Sequence, residues 1–208
     1  HRGYGGKMAN WWENKDDPDS FKITPLNQFY NDEYFKPEHH LNQDMIPEII
    51  ETISSKLRQY NVKTILEVGA AAGWFTVELI KKFSVTALEG SKFGISKMVL
   101  NDIPIQSIIQ HDLRQPFNFG KFDCVLCMEV AEHLEPPFAG TLIRSLCDSS
   151  DLIYFTFCEP RQKHVHHSNE QPFKYWESLF QFYKFELKEK LTGKYDRSQG
   201  YFFRRKIG

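Results

Sequence analysis

No run of apolar residues approaches the ~20 needed to cross a bilayer. Charge is nearly cancelled too: 26 Lys and Arg against 27 Asp and Glu leave a formal net charge of −1. Membrane insertion is therefore not expected, and no overall positive field exists to gather nucleic acid or an acidic membrane. The densest basic cluster, Arg204-Arg205-Lys206, reads as a solvated strand end. Cysteine is scarce: Cys124, Cys127, Cys147 and Cys158 fit reduced thiols in a cytoplasmic protein better than a disulfide framework. Cys124 and Cys127 fall in an apolar strand-like run, Phe122 to Met128, where residues three apart face opposite sides, so a zinc knuckle or redox pair is not expected there. Internal repeats, low-complexity tracts and a secretory signal pattern are absent as well. The start, His1-Arg-Gly-Tyr-Gly-Gly, is polar and lacks an initiator methionine, as in a processed chain, a tag remnant or a segment of a longer one.

What remains is a packed globule. Hydrophobic content of 41% and aromatic content of 15% argue against disorder, and 208 residues suit one domain with a substantial core. Residues 1–43 read as an irregular, aromatic-rich lead segment that covers something, with Trp11, Trp12, Phe21, Phe29, Tyr30, Tyr34 and Phe35 set among charges. Residues 44–208 read as a single domain. Asp44 is placed to cap a helix beginning near Met45, with Ile46, Ile49, Ile50, Ile53 and Leu57 on one face and Pro47 in the first turn. Strands and helices then alternate: strand 64–68, helix 73–83, strand 85–89, helix 91–100, strand 105–110, strand 122–128, helix 137–147 and strand 152–157. Such alternation predicts an α/β fold, a Rossmann-like, doubly wound and mostly parallel sheet with helices on both faces. A helix over 173–183 and a closing β-hairpin of 185–191 and 200–205 complete the chain.

The most informative stretch is Ile65-Leu-Glu-Val-Gly-Ala-Ala-Ala-Gly-Trp-Phe-Thr76, a buried strand running into a small-residue turn and a helix. Such units put backbone N–H groups and a helix N-terminus at the carboxyl edge of a parallel sheet, where doubly wound folds bind ligands. A dinucleotide fingerprint needs a third small residue for close helix-to-strand packing, and that position holds Trp74. The pattern Glu67-x-Gly69-x-Ala71-x-Gly73 instead resembles the first motif of class I S-adenosylmethionine (SAM)-dependent methyltransferases. Ala71 departs from that motif and is tolerated if its φ is negative. Glu89 ends the second strand at the spacing, about 20 residues beyond the first motif, at which an acid meets the ribose in such folds. The same resemblance implies roles for Asp112 and Leu113 in His111-Asp112-Leu113 at the adenine, and for Met128 at the end of the fourth strand beside the sulfonium. The expected cofactor contacts are thus Glu67, Gly69, Ala70, Gly73, Glu89, Gly90, Asp112, Leu113 and Met128, and the expected cofactor is SAM. The C-terminal antiparallel hairpin also resembles the end of that fold.

A second constellation follows the fourth strand. In Glu129-Val-Ala-Glu132-His133, residues 129, 132 and 133 share a face if the turn is helical. Downstream, His164-Val-His166-His167-Ser-Asn-Glu-Gln171 offers His167, with His166 as the alternative. Oxygen and nitrogen donors together suit Mg²⁺, Mn²⁺ or Fe²⁺. The arrangement resembles small-RNA 3′-terminal 2′-O-methyltransferases, in which these residues hold a divalent ion, and the segment from His167 resembles small bacterial and viral methyltransferases associated with glycans. The resemblances imply Glu129, Glu132, His133 and His167 as metal ligands, with Glu132, His133 and His167 catalytic. The implied reaction is O-methylation, since an ion eases loss of the hydroxyl proton; without one, His133 or His167 is a candidate general base. Vicinal hydroxyls occur on RNA termini and on sugars. The near-neutral charge favours a sugar or glycan acceptor, such as a rhamnose unit or a nucleotide-sugar, over RNA. Small-molecule or protein acceptors stay open, as does a non-catalytic SAM-binding module.

Overall fold

A computed structural model describes residues 26–36, 43–160, 167–193 and 200–207. Its order is α1 (Leu26–Phe29), α2 (Ile46–Gln59), β1 (Thr64–Val68), α3 (Trp74–Leu79), β2 (Ser84–Glu89), α4 (Lys92–Leu100), β3 (Ile108–Gln110), β4 (Cys124–Cys127), α5 (Ala139–Ser149), β5 (Leu152–Phe155), α6 (Phe173–Phe182), β6 (Phe185–Leu191) and β7 (Gly200–Arg205). One seven-stranded sheet has the order β3-β2-β1-β4-β5-β7-β6. Strands β1 to β5 run parallel, and β7 is antiparallel to both β5 and β6. Strand order reverses between β1 and β4, the switch point at whose carboxyl edge such sheets bind ligands.

The sequence explains this architecture. The central strands, Thr-Ile-Leu-Glu-Val, Cys-Val-Leu-Cys and Leu-Ile-Tyr-Phe, are almost wholly buried, as parallel strands covered on both faces must be. Alternate residues feed two cores. Leu66, Val125, Cys127, Ile153, Phe155 and Phe203 pack with Leu142, Leu146, Trp176 and Phe180 of α5 and α6. Ile65, Cys124, Leu126, Tyr154 and Phe202 pack with Ile50, Ile53, Leu57 and Leu79 of α2 and α3. Cys124 and Cys127 therefore lie on opposite faces, and all four cysteines are buried free thiols. Edge strand β6 carries Glu186, Lys188, Glu189 and Lys190, which discourage pairing with another chain. Among the described residues no helix is long and apolar enough to cross a membrane.

Several boundaries shift from the sequence reading. Asp44 does not cap α2: the cap position is Met45, without a side-chain bond, and Asp44 lies in a short 3-10 turn before it. Pro47 explains the change, because it removes one of the N–H donors a cap would satisfy. Helix α3 stops at Leu79, short of residue 83, while α5 starts only at Ala139, after a 3-10 turn over Pro136–Phe138, and runs on to Ser149. The stretch expected as strand 105–110 splits into a 3-10 turn, Ile105–Ser107, and a three-residue strand.

Phe180 is a suitable probe of the α6-covered core, being fully buried, stacked on Phe203 at 4.1 Å and edge-on to Phe155 at 5.2 Å. Phe180→Ala is expected to destabilise the fold by about 3–5 kcal/mol. Urea unfolding checks this, as a lower midpoint at unchanged slope.

Candidate functional site

The turn after β1 is built from left-handed residues: Gly69 has φ 75°, Ala71 φ 53° and Gly73 φ 80°. Ala71 thus contradicts the expected negative φ. An L-residue there costs about 1–2 kcal/mol, and the conformation is held by a bond from Ala71 N to Glu89 Oε2 at 2.8 Å. At Gly73, the cap of α3, any Cβ would collide with Ile103, so both conformation and packing require glycine. Ala70 is buried beneath the turn, its N–H bonded to Leu88 O at 3.0 Å.

Two buried acids flank this turn. Glu67 Oε2 accepts from Thr76 Oγ1 at 2.7 Å. Burial pushes Glu67 up to about 7, with Thr76 pulling it down and Glu89 adding to the rise. Glu89 accepts from Ser91 N at 2.7 Å and from Ala71 N at 2.8 Å. Burial pushes it up to about 7 as well, against the N–H groups of Ser91, Ala71 and Gly90 that favour its charge. Each Glu89 oxygen has an acceptor lone pair beyond these bonds, which suits a vicinal diol.

Asp112, by contrast, carries a partner the sequence did not single out. Arg114 donates to both its oxygens, Nε at 2.9 Å to Oδ1 and Nη2 at 2.6 Å to Oδ2. Burial pushes Asp112 up, but the Arg114 bonds outweigh it and hold the carboxyl below its usual range. Leu113 is buried beside it, Gly90 is partly buried, and Met128 packs into the α2-side core.

Beyond β4 the expected single helical face does not form. Glu129 is left-handed, φ 55°, and precedes a 3-10 turn over Ala131–His133. Its N–H donates to Thr156 Oγ1 at 2.8 Å, and that hydroxyl donates back to Glu129 Oε1 at 2.8 Å. Cys158 Sγ lies 3.6 Å from Glu129 Oε2. The ligand atoms of Glu132, His133 and His167 all come within 4.8 Å of one another, and so do those of Glu129, Glu132 and Cys158. The four expected ligands, joined by Cys158, therefore fall into two overlapping triads that share Glu132. His167 Nδ1 faces Glu170 Oε1 at 3.0 Å, the partner that fixes an imidazole's tautomer and aim. The loop is fastened by bonds from Ser168 N and Asn169 N to Glu132 O, at 2.8 and 2.9 Å. His164 and His166 lie outside the described residues. Thr156 and Cys158 were missed by sequence reasoning, although they continue the alternation of β5 past its last paired residue.

The described part of the lead segment crosses this region as a strap. Ser91 Oγ donates to Tyr30 O at 2.6 Å, Lys92 N donates to Asn27 Oδ1 at 3.0 Å, and Lys97 pairs with Asp32 at 2.9 Å. Phe35 is buried. A Cβ at Gly94 would lie 3.1 Å from its ring, so α4 and the strap approach closely. Tyr30 and Tyr34 meet edge-to-face at 4.8 Å, and the Tyr30 ring lies 6.5 Å from that of His133. Burial raises both phenols, with Glu89 and Glu132 among the carboxylates that raise them further. The strap's phenols thus stand near the acid that ends β2 and near the shared acid of the triads.

A family model described as a methyltransferase domain matches residues 38–190. Ubiquinone biosynthesis O-methyltransferase of Rickettsia typhi is 30% identical over 59% of this chain and 51% of that protein. The chain spans about half the length of the curated relatives it matches. Among solved structures, Streptomyces venezuelae DesVI superposes with a TM-score of 0.68 at 13% identity, covering 78% of this chain and 92% of that one. SAM-bound CalS10, an amino pentose methyltransferase from Micromonospora echinaspora, superposes with a TM-score of 0.65 at 10% identity, covering 77% and 92%. At such identities these two likenesses concern the fold.

Glu67 gives the site a pH signature. Its carboxyl is raised from 4.5 to about 7 on folding. The stability tied to its neutral form is full below pH 4.5 and is lost as pH rises through 7. Glu67→Gln removes that titration, so the variant should gain on the parent between those limits and level off above. Thermal melts of the cofactor-free protein from pH 5 to 8 measure it; a pH-independent difference contradicts it.

Proposed function

We propose, from the premise that the chain belongs to the methyltransferase domain family and is a SAM-dependent enzyme, that its acceptor is a sugar hydroxyl held beside a divalent ion. The observation that carries the reading is the convergence of Glu132, His133 and His167 at the carboxyl edge of the sheet, across the strap from Glu89. Their donors fit a hard or borderline ion such as Mg²⁺ or Mn²⁺: a buried carboxylate and two imidazoles, one oriented by Glu170.

SAM supplies a methyl group on a sulfonium, already a good leaving group, so the protein's task is alignment and removal of a proton. Glu89 would accept the two ribose hydroxyls, with Gly69, Ala70 and Gly73 in the turn beside it and Gly90 next in sequence. Asp112, held ionised by Arg114, and Leu113 would form the adenine side, with Met128, just past the end of β4, the candidate nearest the sulfonium. Glu132, His133 and His167 would hold the ion, with Glu129 as a further donor steadied by Thr156. The ion would polarise a vicinal diol and ease loss of the proton from the accepting hydroxyl. Tyr30 and Tyr34 exclude water above the cleft and offer aromatic faces to a sugar ring.

A net charge of −1 supports a sugar over RNA, because an RNA enzyme gains from a basic track. The amino pentose acceptor of CalS10 and the O-methyl product named for the Rickettsia relative each agree with one half of the reading. A terminal RNA ribose offers the same vicinal hydroxyls and is the competing acceptor.

Labelled SAM incubated with methyl-free glycans, nucleotide-sugars and short RNAs, with and without Mn²⁺, tests the proposal. Transfer to a sugar that stops with chelator and returns with Mn²⁺ or Mg²⁺ is expected. His167→Ala should lower turnover at least about 100-fold and Glu170→Gln about 10-fold, with calorimetric SAM affinity retained. Undiminished transfer after chelation discards the ion, methylation of RNA alone reverses the acceptor, and SAM binding with no turnover on any acceptor leaves a binding module.

A further inference from the structure

The second triad has a chemistry of its own. Glu129, Glu132 and Cys158 bring two carboxylates and a thiol within 4.8 Å of one another. Glu132 is fully buried and Cys158 is 6% exposed. Cys124, Cys127 and Cys147 sit in the apolar cores, whereas the Cys158 sulfur is turned toward carboxylates, 3.6 Å from Glu129 Oε2. Glu129 is fixed there at a backbone cost, by its left-handed conformation and the pair of hydrogen bonds with Thr156. Two carboxylates and a thiol this close together make a donor set that one divalent cation can bridge.

We propose that Glu129, Glu132 and Cys158 form a second metal site, selective for a thiophilic ion such as Zn²⁺. Sulfur decides the selectivity: thiolates prefer Zn²⁺ and its softer neighbours, while Mg²⁺ and Mn²⁺ prefer oxygen and nitrogen donors. On binding, the Cys158 S–H bond breaks, its proton passes to solvent, and the sulfur lone pair forms the S–Zn bond. Glu132 belongs to both sets, so occupation of this site withdraws it from His133 and His167. Zn²⁺ therefore antagonises Mn²⁺-supported transfer, a consequence that rests on the function proposed above, although the site itself does not.

Co²⁺ titration of the purified full chain tests the site without any acceptor, because a thiolate bound to Co²⁺ gives a near-ultraviolet charge-transfer band. The band is expected in the wild-type protein and in His167→Ala, and is expected to bleach on addition of one equivalent of Zn²⁺. It should vanish in Cys158→Ser and weaken in Glu129→Gln, with far-ultraviolet circular dichroism confirming that each variant is folded. No band in the wild type, or a band that persists in folded Cys158→Ser, overturns the proposal. If Cys158→Ser does not fold, Glu129→Gln decides: an unchanged band there rejects the site. In turnover assays, Cys158→Ser should raise the Zn²⁺ concentration that halves Mn²⁺-supported transfer at least about tenfold. An enzyme that needs no Mn²⁺ refutes the function proposed for the first triad, while the Co²⁺ band still accepts or rejects the second by itself.

Discussion

Glu89 joins three parts of the molecule: the turn after β1, the start of α4 and, through Ser91, the strap. Its carboxylate is bonded at 2.8 Å to Ala71 in the turn after β1 and at 2.7 Å to Ser91 at the start of α4. Ser91 in turn holds Tyr30 of the strap. A left-handed alanine is an unfavourable element by itself, and the bond to Glu89 is what retains it. The cost is a carboxyl withdrawn from water, compensated only by N–H donors, and its upward shift toward 7 expresses that incompleteness. A ligand bringing two hydroxyls would complete its hydrogen bonding. Affinity for such a ligand and the order of the turn would therefore be two aspects of one interaction.

The elements most legible in the sequence are those governed by local rules. The runs that became β1, β4 and β5 are apolar because both sheet faces are covered, and β6 and β7 match their expected limits residue for residue. Boundaries set by tertiary contact were less legible. Asp44 has the chemistry of a cap, but Pro47 makes such a cap redundant. Likewise, the spacing of Glu129, Glu132 and His133 suggests one helical face, yet nothing in that spacing announces that Thr156, 27 positions downstream, captures the first of them.

The same distinction applies at the site. The acids and glycines of the first motif are neighbours in sequence and could be assigned there. Arg114, which grips both oxygens of Asp112, sits only two residues away but belongs to no motif. Cys158 looks, in sequence, like one more buried thiol; only the fold shows that it faces carboxylates while the other three face hydrocarbon. Side chains whose partners lie on another strand end carry their meaning in the topology, because the parallel pairing of β4 with β5 is what sets those ends side by side.

The strap also has a mechanical consequence. Its anchors, Ser91 and Lys92, open the helix that follows Glu89, and the same residues that grip Asn27 and Tyr30 keep the Tyr30 ring within 6.5 Å of His133. Loosening Ser91 or Lys92 would therefore also release the aromatic wall beside His133. A displacement of the strap, residues 26–36, would be felt in two places at once, at the acid that ends β2 and at the imidazole beyond β4.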